Sequence, residues 1–183
     1  MRFVALLRGI NVGGNNLIRM TDLRACFEKH GFRNVTTYIQ SGNVVFESGE
    51  AGSSRVARRI EEILAATFNY PASLVLLDSR QMRAVIDRAP QGFGTQPAKY
   101  RYDVVFLKAP LTATVALESV PAKPGVDQVF AGSGVLYITR LIAKATQSGL
   151  SRVVSLPIYQ NMTIRNWNTT TKLHRMMEGP GIT

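Results

Sequence analysis

Apolar positions open the chain as one continuous run, Phe3 to Leu7, the pattern of a strand covered on both faces. After a polar stretch, Leu23, Cys26 and Phe27 recur at helical spacing. Thr21 is the expected N-cap of that helix and Gly31 its stop. Two β-rich runs, Val35 to Ile39 and Val44 to Phe46, flank Gln40-Ser41-Gly42-Asn43 and predict a hairpin. Val56, Ile60, Ile63 and Leu64 then mark a helix over Ser53 to Phe68, and Ser73 to Leu77 reads as a strand. The order is βαββαβ, the split pattern of a ferredoxin-like sandwich.

The scheme returns less cleanly in the second half. A helix from Ser79 to Arg88 leads into a Pro/Gly loop, Pro90 to Pro97. Asp103 to Leu107 is the next strand, Leu111 to Glu118 a short helix, and Val126 to Ala131 with Val135 to Thr139 a hairpin. The two hairpins align on their turns, Gln40-Ser41-Gly42-Asn43 against Gly132-Ser133-Gly134-Val135. The expected fold is α+β, two ferredoxin-like halves from an internal duplication, residues 1–78 and 79–183, packed as one unit.

That alignment isolates one feature. The first strand is followed by Arg8-Gly9-Ile10-Asn11-Val12-Gly13-Gly14-Asn15-Asn16, whereas the equivalent link in the second half is Lys108-Ala109-Pro110. Ordinary connections run to roughly 4–6 residues, and longer ones tend to be functional. Glycine admits close approach and positive φ, and asparagine tolerates the same region while offering an amide. Arg8, Gly9, Asn11, Gly13, Gly14 and Asn15 are therefore candidate ligand contacts. Gln40, Ser41, Gly42 and Asn43 join them if the hairpin turn lies at the same end of the sheet. A structural lasso over the sheet is the competing reading. The glycines match neither a Walker sequence nor a dinucleotide fingerprint.

Charge points to a second place. The chain carries a net charge of +10, which favours polyanions such as nucleic acid or phosphorylated ligands. From Gln128 onward, Arg140, Lys144, Arg152, Arg165, Lys172 and Arg175 face a single acid, Glu178. Wound as a helix, residues 163–177 place Trp167, Leu173, Met176 and Met177 on an apolar side. Arg165, Asn168, Lys172 and Arg175 fall together on the other. Trp167 is expected to anchor the helix in the core, and the polar stripe is a candidate anion-binding face.

Catalytic machinery is thin. His30 and His174 stand in no metal or triad spacing, and there is no nucleophile elbow. The one cysteine, Cys26, reads as a small core residue and excludes an internal disulfide. No targeting or membrane-spanning segment is visible, so a cytoplasmic protein with no membrane partner is expected. No metal and no cofactor are expected. An RNA-recognition module is disfavoured because the first and third strands lack its exposed aromatic residues.

Leu6 to Gly14, Tyr38 to Val44 and Arg165-Asn166-Trp167-Asn168-Thr169 together resemble the bacterial domain-of-unknown-function family 1697. The resemblance implies two ferredoxin-like halves and no particular activity. The expected function is a non-catalytic binder of nucleic acid or a phosphorylated ligand. Two alternatives stand beside it: an enzyme acting on a phosphorylated small molecule, and a protein-interaction module.

Overall fold

The computed structural model describes residues 1–11, 17–50, 52–69 and 71–179. The fold is α+β, with two four-stranded antiparallel sheets and several helices. Two compact units divide the chain: Met1–Arg83 with Lys172–Thr183, and Ala84–Thr171.

The first unit contains β1 (Arg2–Leu7), α1 (Met20–Lys29), β2 (Arg33–Tyr38), β3 (Asn43–Glu47), α2 (Ser53–Phe68) and β4 (Leu74–Asp78). Its strands lie in the order β2-β3-β1-β4. Side chains alternate across a strand, so Phe3, Ala5 and Leu7 share one face of β1. They pack with Val44 and Phe46 of β3, Leu23, Cys26 and Phe27 of α1, and Val56, Ile60 and Leu64 of α2. Phe46 meets the rings of Phe3, Phe27 and Phe32 at 5.8, 5.3 and 4.8 Å. Cys26 is a core residue here, 5% exposed. The expected Thr21 cap is corrected. α1 begins at Met20, behind an N-cap Arg19 that makes no side-chain capping bond, and the Arg19–Asp22 ion pair at 2.8 Å steadies its first turn.

α3 (Ser79–Asp87) leads to the second unit, which contains β5 (Tyr100–Leu107), α4 (Ala113–Ser119), β6 (Asp127–Gly132), β7 (Val135–Leu141) and β8 (Met162–Asn166). The strand order is β6-β7-β5-β8. Between β7 and β8 the chain winds through three 3-10 segments, Ile142–Gln147, Gly149–Ser155 and Pro157–Asn161, where the first unit has the long helix α2. Val105, Leu107, Leu136, Ile138 and Met162 form the core with Ala116, Leu150 and Val153. The buried Tyr137 hydroxyl donates to the Val85 carbonyl at 2.8 Å, and desolvation raises its pKa to about 12.

The last helix, α5, spans Trp167–Glu178, and here the structure departs from the expected helix over 163–177. Asn166 is the reason. Its Oδ1 accepts the Thr169 N–H at 2.7 Å, the bond of an N-cap, so the helix starts after it. The residues before it pair instead as β8, with Arg165 opposite Val104.

Candidate functional site

The described part of the long loop meets the hairpin turn. Leu7 N–H donates to the Gly42 carbonyl at 2.8 Å, and Arg8 N–H to the Ser73 carbonyl at 2.9 Å. Asn11 takes up φ +54°. Its Nδ2 donates to the carbonyls of Ile18 and Gln40, both at 2.9 Å, while its Oδ1 accepts Ile18 N–H at 2.8 Å. One carboxamide thus ties both ends of the loop to the turn. Gly42, at φ +69°, is required there, because a Cβ would stand 2.8 Å from Leu7 Cβ. Asn43 is wholly buried, its Nδ2 donating to the Tyr38 carbonyl and to Ser41 Oγ, each at 3.0 Å. The amides of Asn11 and Asn43 are therefore spent on the backbone and the turn. Gly9 and Gln40 are exposed, and Arg8 and Ser41 half-buried. Gly13, Gly14 and Asn15 lie outside the described residues.

The second unit shows what this clasp adds. Leu107 N–H donates to the Gly134 carbonyl at 3.0 Å and Lys108 N–H to the Asn161 carbonyl at 2.9 Å, the same pair of bonds one hundred residues on. Val135 stands where Asn43 stands, and the link from β5 to α4 is only residues 108–112.

Of the polar stripe expected on the last helix, Asn168, Lys172 and Arg175 lie on α5 and Arg165 does not. Arg165 lies on β8 and is half-buried rather than facing solvent, with Nη1 donating to the Ile164 carbonyl at 2.9 Å. Burial pushes its guanidinium down to about 10, still protonated at neutral pH. Asn168 lines a cavity of the second unit of about 410 Å3, together with Arg101, Asn166 and Trp167. Trp167 is also corrected: it is half-buried rather than a core anchor, set edge-on to Phe93 at 5.1 Å.

Lys172 and Arg175 line one cavity, and it lies in the first unit. They line a cavity of about 670 Å3 with Met176, Gly179 and the strand residues Arg2, Asn34, Thr36 and Val45. Val45 pairs with Val4 and Thr36 in register, so these strand residues occupy the sheet face opposite α1 and α2. Arg2 organises the floor. It donates through Nε and Nη2 to Glu47 Oε1 at 3.2 and 2.8 Å, and through Nη1 to the Met177 carbonyl at 3.0 Å. That last bond places a cation on the C-terminal carbonyls of α5, where the helix dipole favours it. Gly179, at φ +77°, leaves room for it, since a Cβ would stand 2.6 Å from Arg2 Nη1. Glu47 also accepts from Asn34 Nδ2 at 2.8 Å, and the bonds from Arg2 and then Asn34 hold its carboxyl below the usual value. Arg2 is thus committed to Glu47, whereas Lys172 and Arg175 are exposed and have no acidic partner among the described residues. Sequence reasoning missed Arg2, Asn34 and Thr36. The period-two polar positions 34 and 36 of β2 were the available signal.

Among the described residues no group of three or more His, Cys, Asp or Glu could hold a metal ion, and no helix is long and apolar enough to cross a membrane. His30 sits at the end of α1, its Nδ1 2.8 Å from the Cys26 carbonyl.

The chain belongs to the DUF1697 family, described as a protein of unknown function, which matches residues 1–137. It is similar in structure to a conserved bacterial protein from Streptococcus pneumoniae, with a TM-score of 0.84 and 25% identity over 96% of this chain and 98% of that one. No curated protein matches the chain significantly.

Proposed function

We propose that the protein is a non-catalytic binder of a phosphorylated ligand, held in the first unit's cavity by Lys172 and Arg175 with Arg2 behind them. One observation carries this: two exposed cations with no acidic partner among the described residues line the same cavity as Arg2, which Glu47 holds in place. Its volume of about 670 Å3 is that of a small-molecule site, and Asn34 and Thr36 add hydrogen-bonding groups beside the charges. Arg8, Gly9 and Gln40, which follow the far ends of β1 and β2, stay candidate contacts of a separate ligand at the loop and turn, outside this cavity. Asn168 and Arg165 fall outside the proposed site.

A small phosphorylated molecule and nucleic acid are the two candidate ligands for this cavity. Fluorescence anisotropy with single- and double-stranded DNA and RNA separates the two. A nucleic-acid binder loses affinity with salt at a log–log slope of about −0.7 to −0.9 per phosphate neutralised. The expected result is only weak binding to all four polymers, displaced by pyrophosphate; tight binding that pyrophosphate does not displace would transfer the function to nucleic acid.

The two units are further proposed to be copies of one ferredoxin-like plan. The matched strand orders and the repeated pair of bonds at Leu7–Arg8 and Leu107–Lys108 support it. A cytoplasmic location agrees with the single free cysteine.

A further inference from the structure

We infer that the second unit carries a separate binding site for a neutral sugar. A cavity of about 250 Å3 lies between one face of its sheet and the loop Pro90–Gln96, and every described side chain that lines it is uncharged. In a chain of net charge +10 that is a selective environment, since an anion entering it would lose water and meet no cation among the described lining residues, the neighbouring Lys99 being held over the Tyr100 ring at 5.1 Å.

The floor is a cross-strand row. Thr139 on β7 stands opposite Gln128 on β6 and opposite Tyr102 on β5. Phe130, two residues beyond Gln128, shares its face of the strand and leaves 43% of its surface exposed. Gln91 and Gln96 complete the polar rim from the loop. That loop is fixed in advance: Gln96 N–H donates to the Tyr102 hydroxyl at 3.2 Å, Thr95 Oγ1 to the Gly92 carbonyl at 2.8 Å, and Phe93 is set edge-on to Tyr102 at 4.9 Å.

What distinguishes the cavity is the state of its polar groups. The three glutamine carboxamides and the Thr139 hydroxyl make no hydrogen bond to the protein among the described residues, although Thr139 is only 8% exposed. Each carboxamide presents a donor beside an acceptor, and each hydroxyl does both. That pattern matches the neighbouring hydroxyls of a pyranose, each of which also gives and takes. The ring's other surface, a patch of C–H bonds, fits the exposed face of Phe130, where apolar burial is favourable. A phosphate lacks such a face, and an aliphatic ligand would leave the carboxamides and hydroxyl unsatisfied.

The site is independent of the proposed anion site and shares no residue with it. Saturation-transfer NMR with glucose, galactose, mannose, N-acetylglucosamine, maltose and cellobiose tests it, the disaccharides distinguishing a free sugar from one unit of a glycan. The expected result is transfer from the protein to pyranose C–H protons of at least one probe, equal at low and high salt. Phe130→Ala and Thr139→Val should each weaken it by about tenfold, with melting curves showing both variants folded. Lys172→Glu with Arg175→Glu should leave it unchanged, which keeps the fate of this site apart from that of the anion site. No transfer to any of the six sugars, or undiminished transfer in folded Phe130→Ala and Thr139→Val, would overturn the inference.

Discussion

Asn11 reaches across to the hairpin turn and donates its Nδ2 hydrogen to the Gln40 carbonyl at 2.9 Å. A second hydrogen of the same nitrogen goes to the Ile18 carbonyl, and Oδ1 takes the Ile18 N–H. Asn11→Asp keeps the acceptor but turns a carboxylate oxygen toward two carbonyls. Such a change should cost roughly 2 kcal/mol of stability in urea denaturation. Equal midpoints and slopes for the two proteins would show that the clasp contributes nothing.

The two turn glycines provide an internal comparison. Gly42 and Gly134 both have positive φ, +69° and +71°, but a Cβ meets Leu7 Cβ at 2.8 Å in the first case and open space in the second. Gly134→Ala should therefore cost about 1–2 kcal/mol from backbone conformation alone. Gly42→Ala should add a steric cost of roughly 1–3 kcal/mol. Calorimetric melting of the pair checks the order; a milder effect at Gly42 would contradict the close approach of turn and strand.

Acid stability should depend on Glu47. Its carboxyl is held below its ordinary value of 4.5, first by the Arg2 bonds and then by Asn34. A depressed carboxylate contributes stability that is fully present above the unfolded pKa and is lost as pH falls through the lower folded value. Glu47→Gln should therefore flatten the acid side of the stability curve below about pH 4.5 and leave its shape near neutrality unchanged. A variant as acid-sensitive as the wild type would remove Glu47 from the account.

Much of the architecture was legible because it is local. The run Phe3 to Leu7 became β1, the spacing of Val56, Ile60 and Leu64 became the buried stripe of α2, and the Ser-Gly turns fell between paired strands. β8 was missed because a helical winding fits residues 163–177 as well as a short strand does. Only Asn166, read as an N-cap, separates the two. The first-unit cavity was legible only in fragments, the polar alternation of Asn34 and Thr36 and the charges of Lys172 and Arg175, since it depends on contacts such as Arg2 Nη1 to the Met177 carbonyl, 175 residues apart, which no local pattern encodes. Charge marked Lys172 and Arg175, which line one cavity, but could not show that Arg165 lies on β8 rather than on the helix.

Trp167 tests that revised C-terminal region. Because the ring is half-buried against Phe93, Trp167→Ala should destabilise by roughly 2 kcal/mol, below the 3–5 kcal/mol of a fully buried aromatic. As the chain's one tryptophan, it also reports directly: iodide should quench its fluorescence in the folded protein. Complete protection from iodide, with a loss above about 4 kcal/mol in the alanine variant, would restore it to the core.

Lys172 and Arg175 carry the proposed anion site, and titration calorimetry with pyrophosphate tests it most directly. Wild-type protein should bind, and Lys172→Glu with Arg175→Glu should weaken binding by about a hundredfold or more, as two charge-assisted contacts of about 1.5–3 kcal/mol each would imply. Both side chains are exposed, so the doubly substituted protein should melt with the wild type. Equal pyrophosphate affinity in the two folded proteins, or no heat of binding in the wild type at low salt, would contradict the claim.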